Sequence, residues 1–213
     1  MDRGEWNERY RASELVWSAE PNQFVVGEVA GLPPGRVLDL AAGEGRNAIW
    51  LAEQGWQATA VDYSEVAIDK ARALAAARGV EIETAVEDVT AFHPAPHAYD
   101  LVLVAYLQLP EPERSAALHR AAEAVAPGGT LLVIAHDESN IEHGYGGPKD
   151  VAVLASPEDV AAIVAGFDSG IVSGLEVVKA QRVERVVDTP DGPRVAIDHV
   201  VRAQSSSARP ATT

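Results

Sequence analysis

Two aspartates, one inside an apolar run and one ending another, flank a loop of very small residues, and together they suit the binding of a nucleoside. The first run, Val37-Leu-Asp-Leu40, feeds Ala41-Ala-Gly-Glu-Gly45, and a helical pattern opens at Arg46. Small residues let backbone N–H groups approach a ligand closely, and a helix start adds partial positive charge. Asp62 closes the next run, Ala58-Thr-Ala-Val61. A carboxylate there can accept both hydroxyls of a ribose.

The spacing alone leaves two readings open. Gly43-Glu-Gly45-Arg-Asn-Ala48 also fits the dinucleotide fingerprint G-x-G-x-x-A, with Asp62 near the position of its ribose-binding acid. Asp39 separates the two, because a diphosphate arriving beside it would be repelled whereas a sulfonium or amino group would be attracted. The stretch from Arg36 to Asn47, followed by Val61-Asp62, resembles the first motif of class I S-adenosylmethionine-dependent methyltransferases. That family usually has glycine where this chain has Ala41.

The resemblance implies a cofactor site of Asp39, Ala41, Gly43, Gly45, Arg46 and Asn47 on the first loop, with Asp62 and Tyr63 after the second strand. Glu87, Asp88 and Val89 then fall where the family meets adenine, and Ala105 falls below the reacting methyl. Trp6-Asn-Glu-Arg-Tyr10, Val16-Trp17 and Pro21-Asn22 resemble the amino-terminal arm of small bacterial methyltransferases related to tellurite-resistance and thiol methyltransferases. In that reading Arg9 meets the methionine carboxylate and Tyr10 packs beside it. The acceptor pocket is expected from Trp17, Tyr106, His136, His143 and Tyr145, with His136 and Tyr106 as the catalytic candidates and His143 as the second possible base. No metal is expected, for want of a tight ligand cluster. A nicotinamide-dependent oxidoreductase and a nucleoside-binding module without catalysis are the competing functions.

These residues need strands and helices to hold them, and the two patterns alternate from about 36 to 135, as in doubly wound α/β folds. Helices are expected over 46–54, from an N-cap at Ser64 to Arg78, and over about 112–125. Val80, Ile82, Thr84 and Val86 alternate with Glu81 and Glu83 as a third strand, residues 100–105 read as a buried parallel strand, and 130–135 as the fifth. Ala126-Pro-Gly-Gly129 resembles the family's helix-to-strand turn. Ser156-Pro-Glu-Asp159 carries a capping-box pattern. Strands at about 175–187 and 194–203, joined by Thr189-Pro-Asp-Gly-Pro193, should form an antiparallel hairpin. The fold class is therefore a Rossmann-like, doubly wound, seven-stranded sheet of five parallel units and a terminal hairpin. Expected boundaries are an arm over 1–30, a methyltransferase domain over 31–204 and a disordered tail over 205–213.

Bulk properties agree with a globular enzyme. The 213 residues suffice for one domain with a substantial core, and 47% are apolar against 23% charged. Acidic residues exceed basic ones, 32 against 17, which gives a net charge of −15 and disfavours nucleic acid or an anionic membrane as partner. The chain has no cysteine, so disulfides, thiolate metal sites and the cysteine chemistry of arsenic methyltransferases are excluded. Ala105-Tyr-Leu-Gln108 replaces the Asn/Asp-Pro-Pro-aromatic motif of enzymes that methylate nucleic-acid amines. A small-molecule acceptor (a thiol, a chalcogen oxyanion or a metabolite hydroxyl) and a cytoplasmic location are expected.

Overall fold

A computed structural model describes residues 2–166 and 175–206. Five strands run parallel through the middle of the chain: β1 (Arg36–Leu40), β2 (Gln57–Asp62), β3 (Glu83–Val86), β4 (Tyr99–Ala105) and β5 (Val125–His136). The hairpin of β6 (Leu175–Val187) and β7 (Arg194–Ser205) completes a seven-stranded sheet in the order β3-β2-β1-β4-β5-β7-β6. β7 is antiparallel to both of its neighbours, as the turn-rich connection required. A dinucleotide domain would more often end on a sixth parallel strand in that place.

The helices follow from local sequence. Ser64 caps α4 (Glu65–Ala77) by accepting from the Ala67 N–H, and Ser156 with Asp159 forms the capping box of α7 (Pro157–Ala165). α3 (Arg46–Glu53), which precedes them, and α5 (Glu113–Ala124), which lies between them in the chain, also cover the sheet. The centre is buried from both faces, with Leu38, Leu101, Val102 and Leu103 fully inaccessible, so β1 and β4 read as continuous apolar runs. Gly129 answers a close approach, since a Cβ there would lie 2.9 Å from the Ala126 carbonyl oxygen and 3.0 Å from that of Tyr99.

Three strand boundaries differ from expectation, the first being β3, which begins at Glu83 and not at Val80. β5 begins at Val125, because Tyr99 already pairs with Val125 before a bulge shifts the register to Leu101 and Thr130. Ser205, expected in the tail, is a buried strand residue opposite Leu175; the rest of that tail from residue 207 lies outside the described residues. At the other end, α1 (Arg3–Arg11) and α2 (Gln23–Val29) precede the sheet.

Candidate active site

The carboxyl ends of β1 to β5, with the amino-terminal arm, supply four groups of side chains. The first is the glycine loop. Ala41 has φ +58° and Gly43 φ +56°, so the alanine that replaces the family's glycine adopts the same left-handed backbone at some cost in strain. Gly43 is needed for space: a Cβ would sit 2.9 Å from the Tyr10 hydroxyl. Asp62 orders the loop from β2, its Oδ2 accepting the Gly43 N–H at 2.8 Å and its Oδ1 that of Ser64 at 2.9 Å. A carboxylate offers about four lone-pair positions. With the Tyr63 backbone also acting on it, the carboxylate keeps lone-pair capacity for a ribose hydroxyl.

Asp39 is buried, and neither of its oxygens makes a well-formed hydrogen bond. Burial raises its pKa to about 7, opposed by the neighbouring Ala48 amide and by Arg46. A buried, poorly partnered acid beside a backbone cradle fits the amino or sulfonium end of S-adenosylmethionine and conflicts with a phosphate. Arg46, the first residue of α3, is itself held below its ordinary value by burial, with Tyr106 and Asp39 nearby acting in the opposite sense.

The amino-terminal arm forms the second group. Arg9 lies 5.1 Å from the ring centres of both Trp6 and Trp17, and Trp6 stacks on Tyr10 at 5.6 Å. Tyr10 is buried over Gly43, while Trp17 stays 41% exposed. Glu44, the residue between the two glycines, latches this arm. Its buried carboxylate accepts from the Val16 and Trp17 N–H groups and pairs with the Lys70 ammonium at 3.1 Å. Lys70 in turn donates to the carbonyls of Tyr10 and Ser13. Asn7 accepts from Ser64, the cap of α4. The expectations above contained neither Glu44 nor Lys70.

The third group lies after β3. Asp88 is exposed, and its Oδ1 accepts from the Thr90 N–H and hydroxyl at 2.8 and 2.7 Å, while Val89 packs on the core. Glu87 is exposed. Tyr63 is raised to about 12, first by burial and then by the charges of Asp62 and Asp88.

The fourth group joins β4, β5 and the hairpin. Tyr106, just after Ala105, has φ +58°, a strained conformation that turns its ring inward. Its hydroxyl donates to Asp198 at 2.7 Å and accepts from Asn22 at 3.1 Å. Arg185 Nε donates to the same carboxylate at 2.8 Å. His136 Nδ1 lies 2.9 Å from Asp198 Oδ1, although its N–H is not aimed squarely at that oxygen. Burial would raise Asp198, but the groups of His136, Arg185 and Tyr106 outweigh it and hold the carboxyl below its usual range. The Tyr106 and His136 rings are 4.9 Å apart.

The structure therefore brings Tyr106 and His136 together and leaves His143 out. His143 is 68% exposed against Glu142 at 3.7 Å, in the short α6 (Asn140–His143). Tyr145, 45% exposed, ties its loop to β7 through its N–H and the Val195 carbonyl. Asp198 and Arg185 were missed. The available signal was an acid within the apolar run Ala196-Ile-Asp198-His-Val-Val201. Among the described residues no three metal-ligating side chains cluster, and no helix is long and apolar enough to cross a membrane.

Residues 37–129 match the family model of a methyltransferase domain. The 2-heptyl-1-hydroxyquinolin-4(1H)-one methyltransferase of Mycobacteroides abscessus is 28% identical over 155 residues, 70% of this chain and 68% of its own. The structure described for conversion of a disulfide bond into a thioacetal group during echinomycin biosynthesis superposes with a TM-score of 0.73 at 20% identity, over 97% of this chain and 93% of that one. TehB from Haemophilus influenzae superposes at 0.66 with 19% identity, over 86% of this chain and 62% of its own. At those identities the two structures bear on the fold. The chain spans 39–47% of the length of other curated relatives, among them a tRNA 5-carboxymethoxyuridine methyltransferase of Escherichia coli.

Proposed function

The chain belongs to the class I S-adenosylmethionine-dependent methyltransferases, and from that premise we propose that it methylates a small molecule at an acidic hydroxyl or thiol, with His136 as general base. The observation that carries this reading is the placement of His136 Nδ1 2.9 Å from the buried Asp198, beside Tyr106 and at the edge that holds the glycine loop. An imidazole backed by a carboxylate on one nitrogen presents the other as a proton acceptor, and the carboxylate stabilises the imidazolium that forms. A preformed oxyanion would need no such base, so the hydroxyl or thiol is favoured over a chalcogen oxyanion.

S-adenosylmethionine, when bound, supplies an activated methyl group on a positively charged sulfur. Gly43, Gly45 and Asp62 would hold its nucleoside, Asp39 and Arg46 its charged amino-acid end, and Tyr63, Asp88 and Val89 the adenine. We assign residues 1–30 to the arm that closes over it, with Tyr10 and Trp17 excluding water and Arg9 near the carboxylate. His136 then removes the proton from the acceptor, and Tyr106 fixes the acceptor against the methyl side of the pocket. Alignment and desolvation supply the rest of the rate.

The Mycobacteroides relative, named for a hydroxylated apolar heterocycle, supports a hydroxyl acceptor of that kind. A tRNA acceptor, as named for the Escherichia coli relative, is disfavoured by the net charge of −15. Replacing His136 with Gln should lower kcat on a hydroxyl acceptor by about a hundredfold or more while leaving S-adenosylmethionine affinity within about twofold. A variant that turns over at the parental rate removes His136 from the reaction.

A further inference from the structure

Behind His136, on the α5 and α7 side of the sheet, lies a small recess lined by Leu107, Arg114, His136, Val153, Ala155 and His199. About 20 Å³ of it is open to the centre of a water-sized sphere, room for about one water or one polar atom. His199 projects from β7 and is 1% exposed; neither ring nitrogen makes a well-formed hydrogen bond, although the Ala155 backbone lies close enough to act as a weak acceptor for the ring. Arg114 spends one terminal nitrogen on the carbonyls of Leu109 and Leu154, and its buried Nε has no partner. Unsatisfied buried polar atoms are uncommon and costly, and the weakly held His199 ring together with the unpaired Arg114 Nε–H in one recess asks for a polar partner there.

The charge of that acceptor follows from the surroundings. Burial pushes His199 down to about 4, so it is neutral at physiological pH and offers one donor and one lone pair. The Arg114 charge is already met by Glu111 at 3.6 Å, and the negative fields of Asp137 and Asp198 reach the His199 ring. An anion would be repelled by those carboxylates, and a cation would meet only the donor face of the Arg114 guanidinium, which has no lone pair to offer it. A carbonyl oxygen, with two lone pairs and no charge, satisfies both donors at once.

Resting on the methyltransferase reading above, we propose that this recess anchors the methyl acceptor by one uncharged hydrogen-bond-accepting atom of an otherwise apolar molecule. Its carbonyl oxygen (or an ether oxygen or ring nitrogen) enters the recess beside His199 and Arg114. The apolar body lies against Leu107 and Val153, and the hydroxyl or thiol to be methylated stands at His136, which shares the recess wall. His199 and Arg114 are thereby specificity-determining residues.

A matched pair of probes tests this without a known acceptor. Acetophenone and ethylbenzene share a carbon skeleton and differ by one carbonyl oxygen. Each is titrated into the full chain saturated with S-adenosylhomocysteine, with nitrogen-15 in the histidine rings. Acetophenone should move the His199 ring resonances saturably, with a Kd at least tenfold below that of ethylbenzene, and His199→Phe should bring the ratio close to one. Equal affinities, a silent His199, or a preference that survives in His199→Phe overturn the proposal and leave the recess as a water site. The wild-type titrations decide the matter even if the variant does not fold. Failure of S-adenosylhomocysteine to shift the Gly43 amide would instead strike the cofactor reading, so the two failures are distinct.

Discussion

Replacing Lys70 with Met keeps the aliphatic stem and removes the charge that joins the glycine loop to the amino-terminal arm. In the native protein the ammonium meets the Glu44 carboxylate at 3.1 Å and the carbonyls of Tyr10 and Ser13, with 23% of the lysine side chain exposed and 3% of the glutamate. Breaking a fully buried pair costs about 3–5 kcal/mol. Glu44 keeps its bonds from Val16 and Trp17, and the lysine is partly open, so about 2–3 kcal/mol is the appropriate figure here. That cost falls on arm docking, which makes the open arm about 30- to 150-fold more populated, at about 1.4 kcal/mol per tenfold. Hydrogen exchange reads this directly at the two amides that Glu44 receives, Val16 and Trp17. Their protection should fall by about that factor, while the core amides of Leu38 and Val102 stay unchanged, because local opening is independent of global unfolding. Cofactor affinity should weaken with it. Unchanged exchange at Val16 and Trp17, or an equal loss throughout the core, would refute the latch.

Three further outcomes follow from the same geometry. Asp62→Ala removes the loop's Gly43 anchor as well as the expected diol contacts, so calorimetry should show at least about a tenfold loss of S-adenosylmethionine affinity together with a lower melting temperature; undiminished affinity contradicts the cofactor placement. Asp39, raised to about 7 from a reference of 3.8, favours folding most below pH 4 and loses that contribution as pH rises through 7; binding a cation should expel its proton, so the enthalpy of S-adenosylmethionine binding at pH 6 should vary with buffer ionisation enthalpy, and Asp39→Asn should abolish the dependence. His199, depressed to about 4 from 6.5, stabilises the fold above pH 6.5 and loses that contribution as pH falls through 4, so His199→Phe should flatten the acid limb of the stability curve by up to about 3 kcal/mol; an unaltered limb would mean that the ring is not held neutral.

The parts of this site that were legible in the sequence are local ones. The apolar run ending in small residues gave β1, its loop and α3, because backbone approach and helix start leave a contiguous signature. Ser64 and Ser156 announced their helices through cap chemistry, and Thr189-Pro-Asp-Gly-Pro193 announced the hairpin. Partnerships across the chain were not legible. Glu44 reads as the variable letter of a glycine motif, and its partner Lys70 reads as one solvated lysine on an amphipathic helix, 26 residues away. Asp198 looks like an interruption of a strand until the fold brings it beneath His136 and Tyr106, 92 residues from the latter. His143 shows the same limit: proximity in sequence to His136 does not bring its side chain, 68% exposed, into the Tyr106–His136–Asp198 group.

The most direct test of the central claim follows the methyl group itself. The protein is incubated with S-adenosylmethionine carrying a deuterated methyl and a mixture of hydroxylated heterocycles, thiols, tellurite and total RNA, and each fraction is examined by mass spectrometry. The account predicts label on an uncharged hydroxyl or thiol compound, reduced by Asp62→Ala at sub-saturating cofactor and strongly reduced by His136→Gln. Label in the RNA fraction, or transfer that persists at the parental rate in both variants, would contradict it.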